Sequence, residues 1–379
     1  MSEIKVNSIK GVGASSAAIT VNNTDGTCTA NITNNLSNRR LTINGDMRIA
    51  QRGTSTTTSG DYPVDRFKVG YGNTDEAPTF EQADVASGTT PYTLGFRKSL
   101  KVTNGNQTSG AGAAVHVKTF YKIEAQDIAN SGWNYTSTSS YITLSFWVKS
   151  SVAQNFYGRV VSKDGTSQNY PFETGSLSAD TWTKITKTIP GNSNLTFNND
   201  NGEGLELEWL PFRGTDTTGS VSLDTWAAYA SGTRTPDNTS TWYTTNDATF
   251  ELTGVQLEVS DHATDFEHRT FGQELTLCQR YCCVLNSPTG LFLYNDIYSN
   301  DTITVSASLP VTMRTTPSIT QTGSGGTSST GFTYSNLAAT PTLAASNSQN
   351  IIVYRGVAST GRTYIYLAPG GELTMEAEL

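Results

Sequence analysis

Residues 141–151 read YITLSFWVKSS, and this stretch decides the fold class. Ile142, Leu144, Phe146 and Val148 fall on every second position. That is the period of a strand with one face turned to a core, because successive side chains of an extended chain point to opposite sides. The same signal returns on either side, in RRLTINGDMRIAQRG (39–53), VDRFKVGYG (64–72), SLKVTNG (99–105), AAVHVKTFYKI (113–123), NFYGRVVSKDG (155–165), TWTKITKTIPG (181–191), LELEWLPFRG (205–214) and ATFELTGVQLEVS (248–260). Polar turns such as KDGTSQN (163–169) and NNDNGEG (198–204) separate the strands and carry the residues on which a chain reverses. About ten short strands without helices between them predict a two-sheet sandwich of the jelly-roll kind over residues 41–270.

Composition agrees with an all-β class. The chain has 34 Gly, 12 Pro and 17 Tyr, with only 15% charged residues, as suits many strands joined by polar turns. A net charge of -8 argues against nucleic acid as a partner, since duplex binding needs clustered Lys and Arg that release counterions. The 379 residues hold no apolar run near the roughly 18 to 20 needed to span a bilayer, so no membrane insertion is expected. The opening MSEIKVNSIKGVG has no apolar core of a secretory signal.

Three further regions flank the sandwich. Residues 1–40 alternate only in pieces, Ile4 with Val6 and Ile19 with Val21, too little to fold without a larger body or identical copies. FGQELTLCQRYCCVL (271–285) spaces Leu275, Leu277, Tyr281, Val284 and Leu285 as a helix does, predicting a connecting helix over 271–287. Strand signals resume over 288–379, a small C-terminal β domain. The four cysteines, Cys28, Cys278, Cys282 and Cys283, form no paired framework and read as reduced, buried thiols rather than a zinc site.

LTINGDMRIAQRGTS, YPVDRF, YITLSFWVKSS, TWTKITKTI, FELTGVQLEV, DFEHRTFGQELTLCQRYC, LPVTMRTTPSIT and YIYLAPGGELTMEAEL, in this order over residues 41–379, resemble a family of tailed-phage virion proteins. These are tail or head fibres, often from phages of marine bacteria and cyanobacteria. The opening SEIKVNSIKGV also resembles the leader of such fibres. The resemblance implies a non-enzymatic virion component made in the host cytoplasm, commonly a homotrimer, whose residues 1–40 dock on other tail or capsid proteins. It implies a sandwich similar to a carbohydrate-binding module, facing a host surface glycan. A capsid fibre or decoration protein is the alternative, and a polysaccharide depolymerase a more remote one.

Candidate sites follow from chemistry. Sugar faces stack on exposed aromatic rings. The loop aromatics Trp226, Tyr229, Trp242 and Tyr243, with Trp133 and Tyr135 in NSGWNYTSTS, are therefore the glycan candidates, whereas Trp147 and Trp182 lie in strands and read as core. No cofactor is required. A Ca2+ ion is the one the resemblance suggests, with Asn44, Asp46 and Glu258 as its oxygen donors; otherwise Asn44 makes a turn and Glu258 is a surface charge or pairs with Arg48. Asp200, Glu203, Glu206 and Glu208 could in principle cleave sugars, but Glu206 and Glu208 alternate with Leu205 and Leu207 and read as a solvated strand face. No catalytic residues are assigned. The turn holding Asp261, His262, Asp265, Glu267 and His268 reads as architecture, with Phe266 and Phe271 covering the base of the sandwich and Glu274 favoured by the helix dipole.

Overall fold

The computed structural model describes residues 8–10, 12, 19–21, 24, 28–30, 39–286, 291–294, 302–322, 332–334, 342–345, 347–356, 364–367 and 372–379. Near the N-terminus β1 (Ser8–Ile9), β2 (Ile19–Val21) and β3 (Cys28–Ala30) pair antiparallel as a small sheet. Ile9 and Val12 are exposed there.

The body consists of β4 (Ser55–Thr56), β5 (Phe67–Gly72), β6 (Thr79–Asp84), β7 (Lys98–Thr103), β8 (His116–Glu124), β9 (Tyr141–Ser150), β10 (Asn155–Ser162), β11 (Gln168–Ser176), β12 (Thr183–Pro190), β13 (Glu203–Arg213), β14 (Ala227–Ala228) and β15 (Thr249–Val259). They form two six-stranded sheets, ordered β12-β9-β15-β7-β6-β4 and β14-β11-β10-β13-β8-β5. Successive strands cross repeatedly from one sheet to the other, which is the jelly-roll path. Register fixes which residues meet across each sheet. Phe67, Tyr121, Leu207, Val160 and Tyr170 stand in one row across β5, β8, β13, β10 and β11, and all five belong to the core. Because the side-chain period is two, the neighbouring row, Lys68, Phe120, Glu208, Arg159 and Pro171, faces the other way. Gly158 has a steric reason to be glycine: a Cβ there would lie 2.4 Å from Cζ of the core ring Phe172.

Two irregularities shape the sheets. The register of β13 shifts between Trp209 and Phe212, around Pro211, as expected of a residue with no N–H for the ladder. The register of β15 shifts between Thr253 and Gln256, where Gly254 has φ +63°. This bulge frees Val255 N–H to donate to Gly45 O (2.9 Å) and Val255 O to accept from Thr42 Oγ1 (2.8 Å). The stretch LTINGDM, expected as a strand, is thus an irregular segment stitched along β15. Positive φ at Asn44 (58°) and Met47 (59°) prevents it from running extended.

Three helices are single turns, α1 (Thr90–Thr93), α2 (Ala125–Ala129) and α3 (Thr241–Thr244); α4 (Phe271–Gln279) is longer. A reciprocal capping box starts α4, with Gln273 N–H donating to Thr270 Oγ1 (3.3 Å) and Thr270 N–H to Gln273 Oε1 (2.9 Å). The helix expected over 271–287 stops at Gln279, and β16 (Cys282–Asn286) follows. The run CCVL satisfies a strand as well as a helix, and a partner far along the chain decides between them. The later strands are β17 (Leu291–Tyr294), β18 (Thr302–Ser308), β19 (Ser318–Thr322), β20 (Phe332–Tyr334), β21 (Thr342–Ala345), β22 (Asn350–Gly356), β23 (Tyr364–Leu367) and β24 (Glu372–Glu376), grouped β16-β24-β19, β17-β23-β20 and β18-β22-β21.

The last residues are fastened to the sandwich. Ala377 N–H donates to Tyr281 O (2.7 Å), Arg52 Nη2 meets Glu378 at 2.9 Å, and Arg66 also pairs with Glu378. Arg280 grips Glu124 with two bonds of 2.8 Å, and Tyr281 Oη donates to Glu124 at 2.6 Å. Among the described residues no helix is long and apolar enough to cross a membrane.

Candidate functional site

The aromatic candidates are mostly inside. Trp133, Trp226, Trp242 and Tyr243 are buried members of the core. Each polar handle is used internally: Trp133 Nε1 donates to Ser140 O (3.2 Å), Trp226 Nε1 to Pro190 O (2.7 Å), Trp242 Nε1 to Thr249 O (3.0 Å) and Tyr243 Oη to Gln107 Oε1 (2.9 Å). Tyr243 stacks on Phe212 at 4.7 Å. Rings enclosed in this way have no face left for a sugar, which corrects the expectation for these four. Tyr135 is half-buried and meets Phe197 edge-on at 5.0 Å. Tyr229 is also half-buried, over a charged surface described below. Conversely, Trp147 and Trp182 are half-buried on the outside of the other sheet rather than in the core, Trp182 lying 5.2 Å from Lys149 Nζ.

Asn44 and Glu258 are engaged by protein groups, while Asp46 uses one carboxylate oxygen and leaves its buried Oδ1 without a partner. Asn44 Oδ1 accepts from Ile49 N–H (2.9 Å), and its Nδ2 donates to Ile49 O (2.8 Å) and Asp65 O (2.9 Å). Asp46 pairs with Arg48. Glu258 is buried and accepts from Thr264 N–H (2.9 Å), Thr264 Oγ1 (2.6 Å) and Gln256 Nε2 (2.9 Å), so it is neither a surface charge nor a partner of Arg48. No group of three or more His, Cys, Asp or Glu among the described residues is placed to hold a metal ion. Cys278 lies in the last turn of α4 while Cys282 starts β16, so the two do not share a helix face. Burial pushes the Cys283 thiol up to about 11 and raises Cys278 and Cys282 as well, which keeps all three protonated.

The acidic turn acts as a clamp. The Glu267 carboxylate accepts from Arg39 N–H (3.0 Å) and Arg40 N–H (2.9 Å), and the buried Glu274 pairs with Arg40 and accepts from Asn44 N–H. Phe266 covers the base as expected, against Phe96 at 4.9 Å, but Phe271 is exposed.

Chemistry gathers instead on the outer face of the β14-β11-β10-β13-β8-β5 sheet. Glu206 and Glu208, expected on a solvated strand face, are 7% and 0% exposed. Glu208 is bound by Arg159 Nε, by Arg213 Nη2 (2.8 Å) and by Lys118 Nζ (3.3 Å); Glu206 meets Lys163 Nζ at 3.1 Å, and Glu203 meets Lys122 Nζ at 2.8 Å. The β13 bulge lies between Glu208 and Arg213, which share this ion pair from one strand. Burial alone would raise the Glu208 carboxyl. The charges of Arg159, Arg213 and Lys118 outweigh it and hold Glu208 well below the usual carboxylate range. A general acid needs the opposite shift, so Glu208 is not set up as one.

Around this cluster, cations alternate with aromatic rings. Arg52 stands 4.2 Å from the Tyr62 ring and Lys68 5.5 Å from it. Lys68, Lys118 and Lys122 approach Phe120 at 5.8, 4.6 and 6.0 Å. Arg159 and Arg234 flank Tyr229 at 5.6 and 5.7 Å. The alternation HVKTFYKI could have signalled Lys118, Phe120 and Lys122 as one outward row; Arg159, Arg213 and Lys68 join them only through register.

No family model matches the chain, and no curated protein matches it. Among solved structures it is similar to the N-terminal cellulose-binding domain of a β-1,4-glucanase from Cellulomonas fimi, at 11% identity and TM-score 0.28, over 57% of this chain and 100% of that one. A family 11 carbohydrate-binding module of a cellulosomal cellulase of Clostridium thermocellum aligns at 12% identity and TM-score 0.25, over 57% and 98%. The tripod from the baseplate of bacteriophage Tuc2009 aligns at 13% identity and TM-score 0.24, over 45% of this chain and 50% of that one. Likenesses of this size assign the chain to none of them.

Proposed function

We propose that this chain is a structural component of a tailed-phage virion, a trimeric tail fibre or similar appendage, whose sandwich contacts glycan on the host surface. The observation that carries the glycan part is the outer face just described: a sheet surface on which partly exposed lysines of β5 and β8 stand with the half-buried rings of Tyr62 and Tyr229 from the adjoining loops. Such a face offers ring edges and many donors to sugar hydroxyls at once. The order of motifs over residues 41–379 supports the virion part, and the small β1-β2-β3 sheet, with Ile9 and Val12 exposed, suits a segment completed by neighbouring copies. Antibody raised against the purified chain and applied to intact virions tests the reading. Decoration of the tail is expected. Decoration confined to the head favours the capsid-fibre alternative, and particles that bind no antibody overturn the virion assignment.

A further inference from the structure

The glycan reading leaves open which sugars the sheet face would take, and its charge balance narrows the choice. Seven cations, Lys68, Lys118, Lys122, Arg159, Lys163, Arg213 and Arg234, gather there against four carboxylates, Glu173, Glu203, Glu206 and Glu208, in a chain whose net charge is -8, while Arg52 beside Tyr62 is already paired with Glu376 and Glu378. The excess is not an accident of long side chains in water. Arg159 and Arg213 are 3% and 2% exposed and share Glu208, Arg159 also standing 3.6 Å from Glu206, and Arg159 Nη1 and Arg213 Nε have no acceptor among the described residues. A buried donor without a partner is unfavourable, so an arrangement that keeps two of them side by side is short of negative oxygen. Lys68 on β5 and Arg234, in the loop after β14, have no carboxylate partner among the described residues and lie against the half-buried rings of Tyr62 and Tyr229.

Resting on the proposed glycan contact, we propose that this face binds an anionic polysaccharide, one whose sugars carry carboxylate or sulfate groups. The anionic oxygens would pair with Lys68, Lys118 and Arg234 across this face and relieve the charge imbalance around Arg159 and Arg213 beside Tyr229. Guanidinium groups favour such oxygens because their fork of N–H donors matches them in geometry. The sugar rings would lie against Tyr62 and Tyr229, while the cations between the rings set the spacing of the charges they accept.

The test uses the full-length protein and four probes: alginate for carboxylate, carrageenan for sulfate, dextran as a neutral glycan and a thymidine oligonucleotide as a polyanion without sugar acids. Binding to alginate, carrageenan or both is expected, weakening as salt rises, with dextran and the oligonucleotide bound far less. Which of the first two binds distinguishes the two sources of negative oxygen. The double variant Lys68→Gln, Arg234→Gln removes no ion pair that the fold uses and should weaken that binding about tenfold, as loss of two partly exposed charge contacts does. Lys101→Gln, on the opposite sheet, should leave it unchanged. Dextran binding that ignores both salt and the double variant would overturn the anionic inference and leave the glycan reading standing. Binding of the oligonucleotide as tightly as the acidic glycans also overturns it. Failure to bind any of the three glycans counts against the glycan reading itself.

Discussion

The outer faces of the two six-stranded sheets use the same residue types to different ends. On the β12-β9-β15-β7-β6-β4 sheet, Lys149, Glu251, Lys101 and Glu81 stand in one row across four strands, two cations against two carboxylates. Lys149 meets Glu251 at 2.8 Å and Lys101 meets Glu81 at 2.9 Å, with three of the four partly open to solvent. On the β14-β11-β10-β13-β8-β5 sheet, Glu208 serves three cations at once and is wholly buried. A balanced, hydrated row is what a sheet needs to stay soluble. An unbalanced, dehydrated one contributes little to stability for the same number of charges, because desolvation offsets most of the attraction. The difference is the one that the proposed recognition on one face, with solvation on the other, requires.

That contrast can be broken most sharply at Glu208. Replacing it by alanine strands Arg159 and Arg213 without their common partner, and the sandwich should lose about 3–5 kcal/mol in chemical denaturation. If Glu208→Ala costs no more than a surface substitution, the two faces are alike and the comparison fails. Acid gives the next largest effect. Because the folded-state value of Glu208 is depressed, its contribution is present above the ordinary glutamate range, near pH 4.5, and is lost as pH falls through the folded value. The denaturation midpoint should fall with pH below that point, and Glu208→Gln should flatten the fall; an unchanged slope would mean that other carboxylates govern acid unfolding. The smallest effect belongs to the balanced face, where Glu81→Ala should cost less than about 1 kcal/mol because the pair is partly exposed. A larger loss there would show that the row does more than keep the sheet hydrated.

Much of the architecture was legible in local pattern. Ile142, Leu144, Phe146 and Val148 occupy β9 and are buried, as their spacing requires. The limits appear where one local pattern admits two outcomes. CCVL suits helix or strand, and β24, some ninety residues on, makes it a strand. LTINGDM has strand-like composition, but the β15 bulge and positive φ at Asn44 and Met47 hold it as a fitted loop. Four of the six glycan candidates turned inward for a similar reason. Aromatics in long polar loops can face water or fold inward, and Trp133, Trp226, Trp242 and Tyr243 turn back to cap the core.

By itself the sequence determined an all-β chain, the positions of most strands and the face of each that would be dry, because period two is written into neighbouring residues. It also determined that Glu206 and Glu208 leave the core side of β13. What those carboxylates would meet was decided only by tertiary structure. Strand order and register set Arg159 beside Glu208 from a different strand, and the β13 bulge lies between Glu208 and Arg213 on their own. Contacts between strands arise from pairing over long stretches of chain, and no local spacing carries that information.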